Sequence, residues 1–239
     1  GVRLRNVHSL DFASLYPNLM ILLEIFGDNT YILDDLLQKR LTLKRAGNDD
    51  QLAYKLIINA VSGLLDYENS NIHDHNKALS VRYSGQQLAL YVVEILTDLG
   101  CKIINLNTDG VFFTNDDLTK EQINGIIDMV FKNTHIELEY ENFDTFIQKD
   151  VNNYVAKKFN PKTNDYDYKF KGKLVKNFNG RSILTKTQPH ILDIMLVNKL
   201  VDNIEFSDTL KENQDSLLKF CMTLYTGGKF NHTLDEYNN

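Results

Sequence analysis

Residues 31–46 and 51–66 both carry apolar side chains at helical spacing, and only the breaker Gly47-Asn48-Asp49-Asp50 separates them. So short a link predicts an antiparallel helical hairpin. Before it, Val7 to Phe12 alternates as a strand does. Ser14 to Glu24 then takes helical spacing, with Pro17 tolerated in the first turn. Asp11 is thus expected at a strand-to-helix junction. After the hairpin, Ser80 to Leu99 reads as a long helix ended by Gly100. Lys102 to Asn107 and Val111 to Thr114 read as strands about the turn Thr108-Asp109-Gly110, which places Asp109 at a hairpin tip. A helix over Thr119 to Thr134 carries the capping pattern Thr119/Gln122. Strands are expected near 136–141, 145–149, 152–159 and 166–175. From Gln188 the pattern turns helical again, with a boundary near 180 in the Asn- and Gly-rich stretch NFNGRS and a frayed polar end.

Composition narrows the class. With 43% hydrophobic residues, three prolines and no low-complexity tract, the chain is expected to be globular. Cys101 and Cys221 have no metal-ligand spacing and no disulfide partners at a framework distance, which fits a reducing compartment. The longest apolar run, Leu19 to Phe26, is interrupted by Glu24 and too short to span a bilayer, so a soluble, intracellular protein with no membrane partner is expected. A net charge of −6 argues at first against nucleic acid. The distribution argues the other way: residues 149–186 hold ten Lys or Arg against three Asp. That stretch is either a backbone-binding surface or a solvated basic face.

Joining a 3′ hydroxyl to an α-phosphate requires a more acidic hydroxyl and neutralised phosphates, and two Mg²⁺ ions about 3.5–4 Å apart supply both. Hard oxygen ligands hold such ions, and Asp11 at a strand end opposite Asp109 at a hairpin tip would converge as such a pair. Alone, neither is informative, since Asp beside a helix start is usually an N-cap and Asp in a TDG turn usually a turn residue.

Three ordered motifs change that balance. Asp11-Phe12-Ala13-Ser14-Leu15-Tyr16-Pro17-Asn18 resembles the DxxSLYPS motif A of family B DNA polymerases. Lys55-Leu56-Ile57-Ile58-Asn59-Ala60-Val61-Ser62-Gly63 resembles their motif B, Kx3NSxYG, and Asn107-Thr108-Asp109-Gly110 resembles the DTDS of motif C. VRYSGQQLAL, at 81–90, is also familiar from the family. The resemblance covers roughly residues 1–175 and implies an α+β fold: a ferredoxin-like polymerase palm with an antiparallel sheet, a short two-helix fingers hairpin and a partial helical thumb. The divisions it implies are palm at 1–29, fingers at 30–66, palm again at 67–180 and partial thumb at 181–239.

Carried across residue by residue, the resemblance implies template-directed DNA synthesis on a primed DNA template from deoxynucleoside triphosphates. Asp11, Asp109 and the Phe12 carbonyl would hold two Mg²⁺ ions, for which Mn²⁺ can substitute. Tyr16 would be the steric gate that excludes a ribose 2′-hydroxyl. Ser14 and the Leu15 and Tyr16 amides would hold the triphosphate at a helix N-terminus. Arg40 and Lys44, four apart, and Lys55 and Asn59, four apart on the second helix, would face the same triphosphate, with Lys55 also protonating the departing pyrophosphate. A solvated cationic face is the plainer alternative for these. Thr108 is expected near DNA. Phe143 to Lys158 resembles a segment ending in a KKxY motif that grips the primer, so Tyr154 fits the tyrosine. Val151 and Asn152 stand where lysines are expected, which leaves Lys149, Lys157, Lys158 or Lys171 for the phosphates; Tyr154 as a half-buried strand aromatic remains open.

Departures matter too. Asn107 and Gly110 replace the first Asp and the Ser of DTDS, and Ser62 replaces the Tyr of motif B. Glu137, Glu139 and Glu141 either approach the metals or are strand-edge charges. The start of the sequence so near motif A predicts an exonuclease domain elsewhere, upstream or on a separate subunit. The interval from Asp11 to Asn59 leaves no room for the insertion of protein-primed members. The compact fingers and Asn-rich composition fit a viral or mobile-element source, hence a bacterial cytoplasm. Two other readings stand beside an active polymerase: an impaired palm kept as a replication scaffold or DNA-binding module, and a cyclase-like nucleotidyl transferase on a shared topology.

Overall fold

The computed structural model describes residues 2–172 and 189–221, and it divides into two compact units, Asn6–Phe143 and Gly1–Arg5 with Asp144–Asn239. The class is α+β with antiparallel strand pairs.

In the Asn6–Phe143 unit, β1 (Val2–Phe12) contributes its C-terminal part and runs into α1 (Leu15–Leu22). The hairpin expected from the sequence is α2 (Thr30–Arg45) and α3 (Gln51–Asp66). Their link is pinned by Asn48, whose Oδ1 accepts the Asp50 amide at 2.8 Å. Next comes α4 (His75–Asp98), which starts five residues before the sequence-derived boundary because Asp74 caps it, accepting from the Lys77 amide at 3.0 Å. The polar run His75-Asn76-Lys77 hides that first turn from a reading of apolar spacing.

The strands β2 (Lys102–Leu106) and β3 (Gly110–Thr114) form an antiparallel hairpin, and α5 (Lys120–Thr134) carries the reciprocal Thr119/Gln122 capping box. In this unit the strand order is β2-β3-β1-β4, where β4 spans Leu138–Asp150. The sequence suggested two strands in that span. One continuous strand forms because the polar interruption is satisfied in place: Asn142 Nδ2 bonds Asn6 Oδ1 at 3.0 Å, and Phe143 stacks on Phe112 with ring centroids 6.3 Å apart. The main core packs Leu10, Phe12, Val111 and Phe113 of the strands under Leu19 and Met20 of α1 and Val92 and Leu96 of α4. Each such buried side chain contributes about 1.5–3 kcal/mol.

In the other unit, the C-terminal part of β4 pairs with β5 (Asn153–Asn160), and β5 pairs with β6 (Asp165–Lys171). The chain resumes with α6 (His190–Val197), a π-helical turn (Asn198–Asp202), α7 (Phe206–Asn213) and a 3-10 turn (Leu217–Phe220). The terminal helices are therefore shorter than the sequence suggested. Asn203, in the left-handed region at φ 57°, stops the first of them. Val155, Val197 and Val201 form a small core with Tyr168 and Phe170 packed on it. The NFNGRS boundary near 180, the end of the strand expected to 175 and the polar C-terminus lie outside the described residues. Cys101 is buried and Cys221 exposed, both as free thiols. Among the described residues no helix is long and apolar enough to cross a membrane.

Candidate active site

Antiparallel pairing of β1 with β3 sets Asp11 directly across from Gly110. The next step of the ladder joins the residue after Asp11 to Asp109, because the Phe12 amide donates to the Asp109 carbonyl at 2.7 Å. Asn107 shapes the tip between the strands: its amide donates to the Gly110 carbonyl at 3.0 Å, and its Oδ1 accepts the Asp109 amide at 3.2 Å. That is an Asx-type turn, so Asn107 works through its side-chain oxygen. Asp109 is exposed at the tip, and Asp11 is half-buried.

Beyond Asp11 the chain turns sharply. Ser14 adopts the left-handed conformation (φ 52°, ψ 48°), and its side chain makes no cap bond to α1. The hydroxyl turns elsewhere, accepting a hydrogen bond from Arg40 Nη1 of α2 at 2.7 Å. A cleft of ≈ 400 Å³ opens here, lined by Phe12, Ser14, Leu15, Tyr16, Pro17, Arg40, Lys55, Asn59, Ser62, Thr108 and Asp109. Residues expected from four separate sequence segments thus share one wall. Asp11 is reached through its neighbour Phe12 and is not itself among the lining residues.

Tyr16 packs beside Gly85 of α4, where a Cβ would stand 3.4 Å from the ring atom Cε1. Burial raises the Tyr16 phenol above its ordinary value, the Arg82 guanidinium offsets part of this, and the Asp109 carboxylate adds to it. The phenol is therefore neutral at physiological pH. Next to Tyr16 lies a second hollow of ≈ 280 Å³, shared with Ser62, Gly63, Asp66, Val81 and Arg82. Arg82 closes its side with a two-pronged bond to Asp66, at 2.7 and 3.1 Å.

Several expected residues are not among those that line the cleft. Lys44 does not join Arg40 there: its Nζ sits 2.9 Å from Glu139 Oε1, because one further helical turn carries it to β4. Glu139 of β4 is thereby an ion-pair partner, and Glu137 offers its backbone carbonyl to the Ala13 amide at 2.9 Å. Within the other unit, Lys149 is exposed and Lys171 is half-buried opposite Tyr154. Tyr154 is buried, its ring 5.1 Å from that of Phe146, so the ring itself belongs to the core. Lys157 is committed as well, to an ion pair with Asp202 and to the Tyr166 ring 4.2 Å from its ammonium.

No protein-family model matches the chain. It is 23% identical to the DNA polymerase of Archaeoglobus fulgidus across 81% of this chain and 29% of that protein. It is 23% identical to DNA polymerase 2 of Saccharolobus solfataricus across 59% of this chain and 25% of that one. Among solved structures, the family B DNA polymerase of the archaeon Pyrobaculum calidifontis superposes with a TM-score of 0.53 over 90% of this chain and 32% of that chain, at 17% identity. The chain has the fold of the matched third of that polymerase. It spans between a quarter and a third of the length of these relatives.

Within the polymerase fold, the donor set fits a divalent cation. Asp11, Asp109 and the Phe12 carbonyl are hard oxygen donors on adjacent strands, and bare Gly110 leaves space for the Asp11 carboxylate. Among the described residues no group of three or more His, Cys, Asp or Glu side chains is gathered to hold a metal. Sequence reasoning read Gly110 only as a departure from motif C, and it missed Gly85 and the Arg82–Asp66 bridge. Arg82 and Gly85 lay in the recognised segment 81–90, but only the packing of α1 and α3 on α4 gives them partners.

Proposed function

We propose that this chain is the polymerising core of a DNA-directed DNA polymerase, extending a primer 3′ end along a DNA template. In this reading the Asn6–Phe143 unit supplies the palm sheet with α2 and α3 as fingers, and α6 and α7 belong to a partial thumb. The observation that carries it is the ladder step joining Phe12 to Asp109 beside Asp11 and Gly110, at the mouth of a cleft that also holds Tyr16, Arg40, Lys55 and Asn59.

Two Mg²⁺ ions, or Mn²⁺ in their place, would when bound acidify the primer hydroxyl and neutralise the phosphates. Asp11, Asp109 and the Phe12 carbonyl would hold them. Arg40 and Lys55 face the cleft from the two arms of the hairpin and meet the negative charge of a triphosphate, while the start of α1 offers the Leu15 and Tyr16 amides. Lys55 would also give a proton to the departing pyrophosphate. The Tyr16 ring, backed by Gly85, fills the sugar side and excludes a 2′-hydroxyl by volume. Lys149 and Lys171 remain candidates for DNA phosphates, and Thr108 for the strand at the cleft mouth.

Primer extension on primed DNA with deoxynucleotides and Mg²⁺ tests the proposal. Synthesis that disappears in Asp109→Ala supports it. A folded, DNA-binding chain that makes no product under any divalent cation would favour the scaffold reading. Tyr16→Ala should admit ribonucleotides, and unchanged sugar discrimination would remove Tyr16 from the gate.

A further inference from the structure

Gly110 is not glycine for the sake of its backbone. The described glycines with positive φ are Gly27, Gly47, Gly100 and Gly172, and Gly110 is not among them. Space is the reason. A Cβ at 110 would stand 1.9 Å from Asp11 Oδ1, 3.0 Å from Asp11 Cγ and 3.3 Å from the Leu10 carbonyl oxygen. The Asp11 carboxylate therefore occupies the volume in which any other residue at 110 keeps its first side-chain atom. Gly85, the other buried glycine of this unit, differs: its Cβ would meet ordinary contacts of 3.4–3.6 Å.

We propose that Gly110 is the positioning residue for Asp11. Its bare Cα is the seat on which the carboxylate lies, and that seat fixes the carboxylate orientation offered to a divalent cation. The inference rests on the assignment of Asp11 as a metal ligand made above. The two nearest atoms are the far end of a short, rotatable side chain and the Leu10 carbonyl oxygen need give only by a few tenths of an ångström, so a methyl at 110 displaces the carboxylate and leaves the β1–β3 pairing in place. Serine, the usual residue of the motif, would add a hydroxyl to the same obstruction. In this chain the Asp11 orientation and the glycine form one matched pair.

The test is a double-mutant cycle read by direct Mn²⁺ binding, counting free ion by electron paramagnetic resonance, and by thermal melting, on the chain without substrate. Gly110→Ala should weaken Mn²⁺ binding by about 10-fold or more, the scale on which residues that orient metal ligands act. In an Asp11→Ala background the same substitution should cost nothing further, because the obstructed group is gone. A folded Gly110→Ala with parental Mn²⁺ affinity overturns the proposal, as does an equal loss in both backgrounds. Should Gly110→Ala fail to fold, folding of the double variant supports the clash and failure of both overturns it. If Asp11→Ala and Asp109→Ala each bind Mn²⁺ like the parent, the metal-ligand assignment fails, an outcome distinct from failure of the seat.

Discussion

Arg40 Nη1 donates to Ser14 Oγ over 2.7 Å, fastening the middle of α2 to the corner where β1 becomes α1. The guanidinium carries further N–H donors besides the one in this bond, and Arg40 lines the cleft. One turn further along α2, Lys44 ends on Glu139 instead.

This split predicts unequal consequences for two cations that sequence spacing made equivalent. Arg40→Ala should raise the KM for deoxynucleotides by about 10–100-fold, since hydrogen bonds to charged groups are worth roughly 1.5–3 kcal/mol. Lys44→Ala removes an exposed pair worth about 0–1 kcal/mol and should leave KM within a few-fold of the parent. Steady-state primer extension measures both. Equal effects would return Lys44 to the triphosphate.

A ring at position 62 should tighten base selection. Ser62 opens onto both the cleft and the ≈ 280 Å³ hollow beside Tyr16, the space in which motif B usually keeps a tyrosine. Ser62→Tyr is expected to fill it and lower misincorporation, read as the ratio of kcat/KM for wrong and right nucleotides. Identical ratios in the two proteins would show that the hollow has no part in selection.

Lys157 is expected to report on stability before DNA affinity. Burial by itself would lower its pKa, but the hydrogen bond to Asp202 and the charge environment of Tyr168 outweigh that and hold it above the ordinary lysine value. Lys157→Met should destabilise the chain by about 1 kcal/mol, the upper end for a pair whose carboxylate is open to solvent. Urea titration gives the loss, and filter binding below the melting range should give near-parental DNA affinity. Weak DNA binding by a fully stable variant would reverse the conclusion.

Acid should weaken the Asn6–Phe143 unit through His8. The ring is buried against Phe113 and its Nδ1 lies 2.8 Å from the Tyr140 hydroxyl; burial lowers its pKa below the ordinary 6.5, against smaller opposing effects of Asn115 and Asp116. Well above pH 6.5 the ring is neutral folded or unfolded, so it adds no pH dependence there. Below that value the unfolded chain takes up the proton first, and stability falls until the lowered folded value is passed. Denaturant midpoints at pH 7.5 and pH 5 should differ less in His8→Gln than in the parent.

The sequence made the hairpin, the Thr119 cap and the Asp109 turn legible, because each rests on signals within one short segment: helical period, capping pair, turn residues. Asp11, Tyr16, Arg40, Lys55, Asn59 and Thr108 were legible as candidates through motif resemblance, and the chain folds so that they meet at or beside one cleft. The rest depended on which neighbour a side chain meets across the fold. Lys44 and Lys157 carry the same charge as Arg40 and Lys55, and nothing local announces Glu139 or Asp202 as their partners. Tyr154 alternates correctly for a strand, but the pleat turns its ring onto Phe146. The meaning of Gly110 needed the opposite strand.

The left-handed backbone at Ser14 narrows what evolution can write at that corner before any chemistry is consulted. Asparagine, aspartate and glycine tolerate such torsions, whereas a residue branched at Cβ does not. Threonine would preserve the hydroxyl that Arg40 grips, and its own methyl shuts it out.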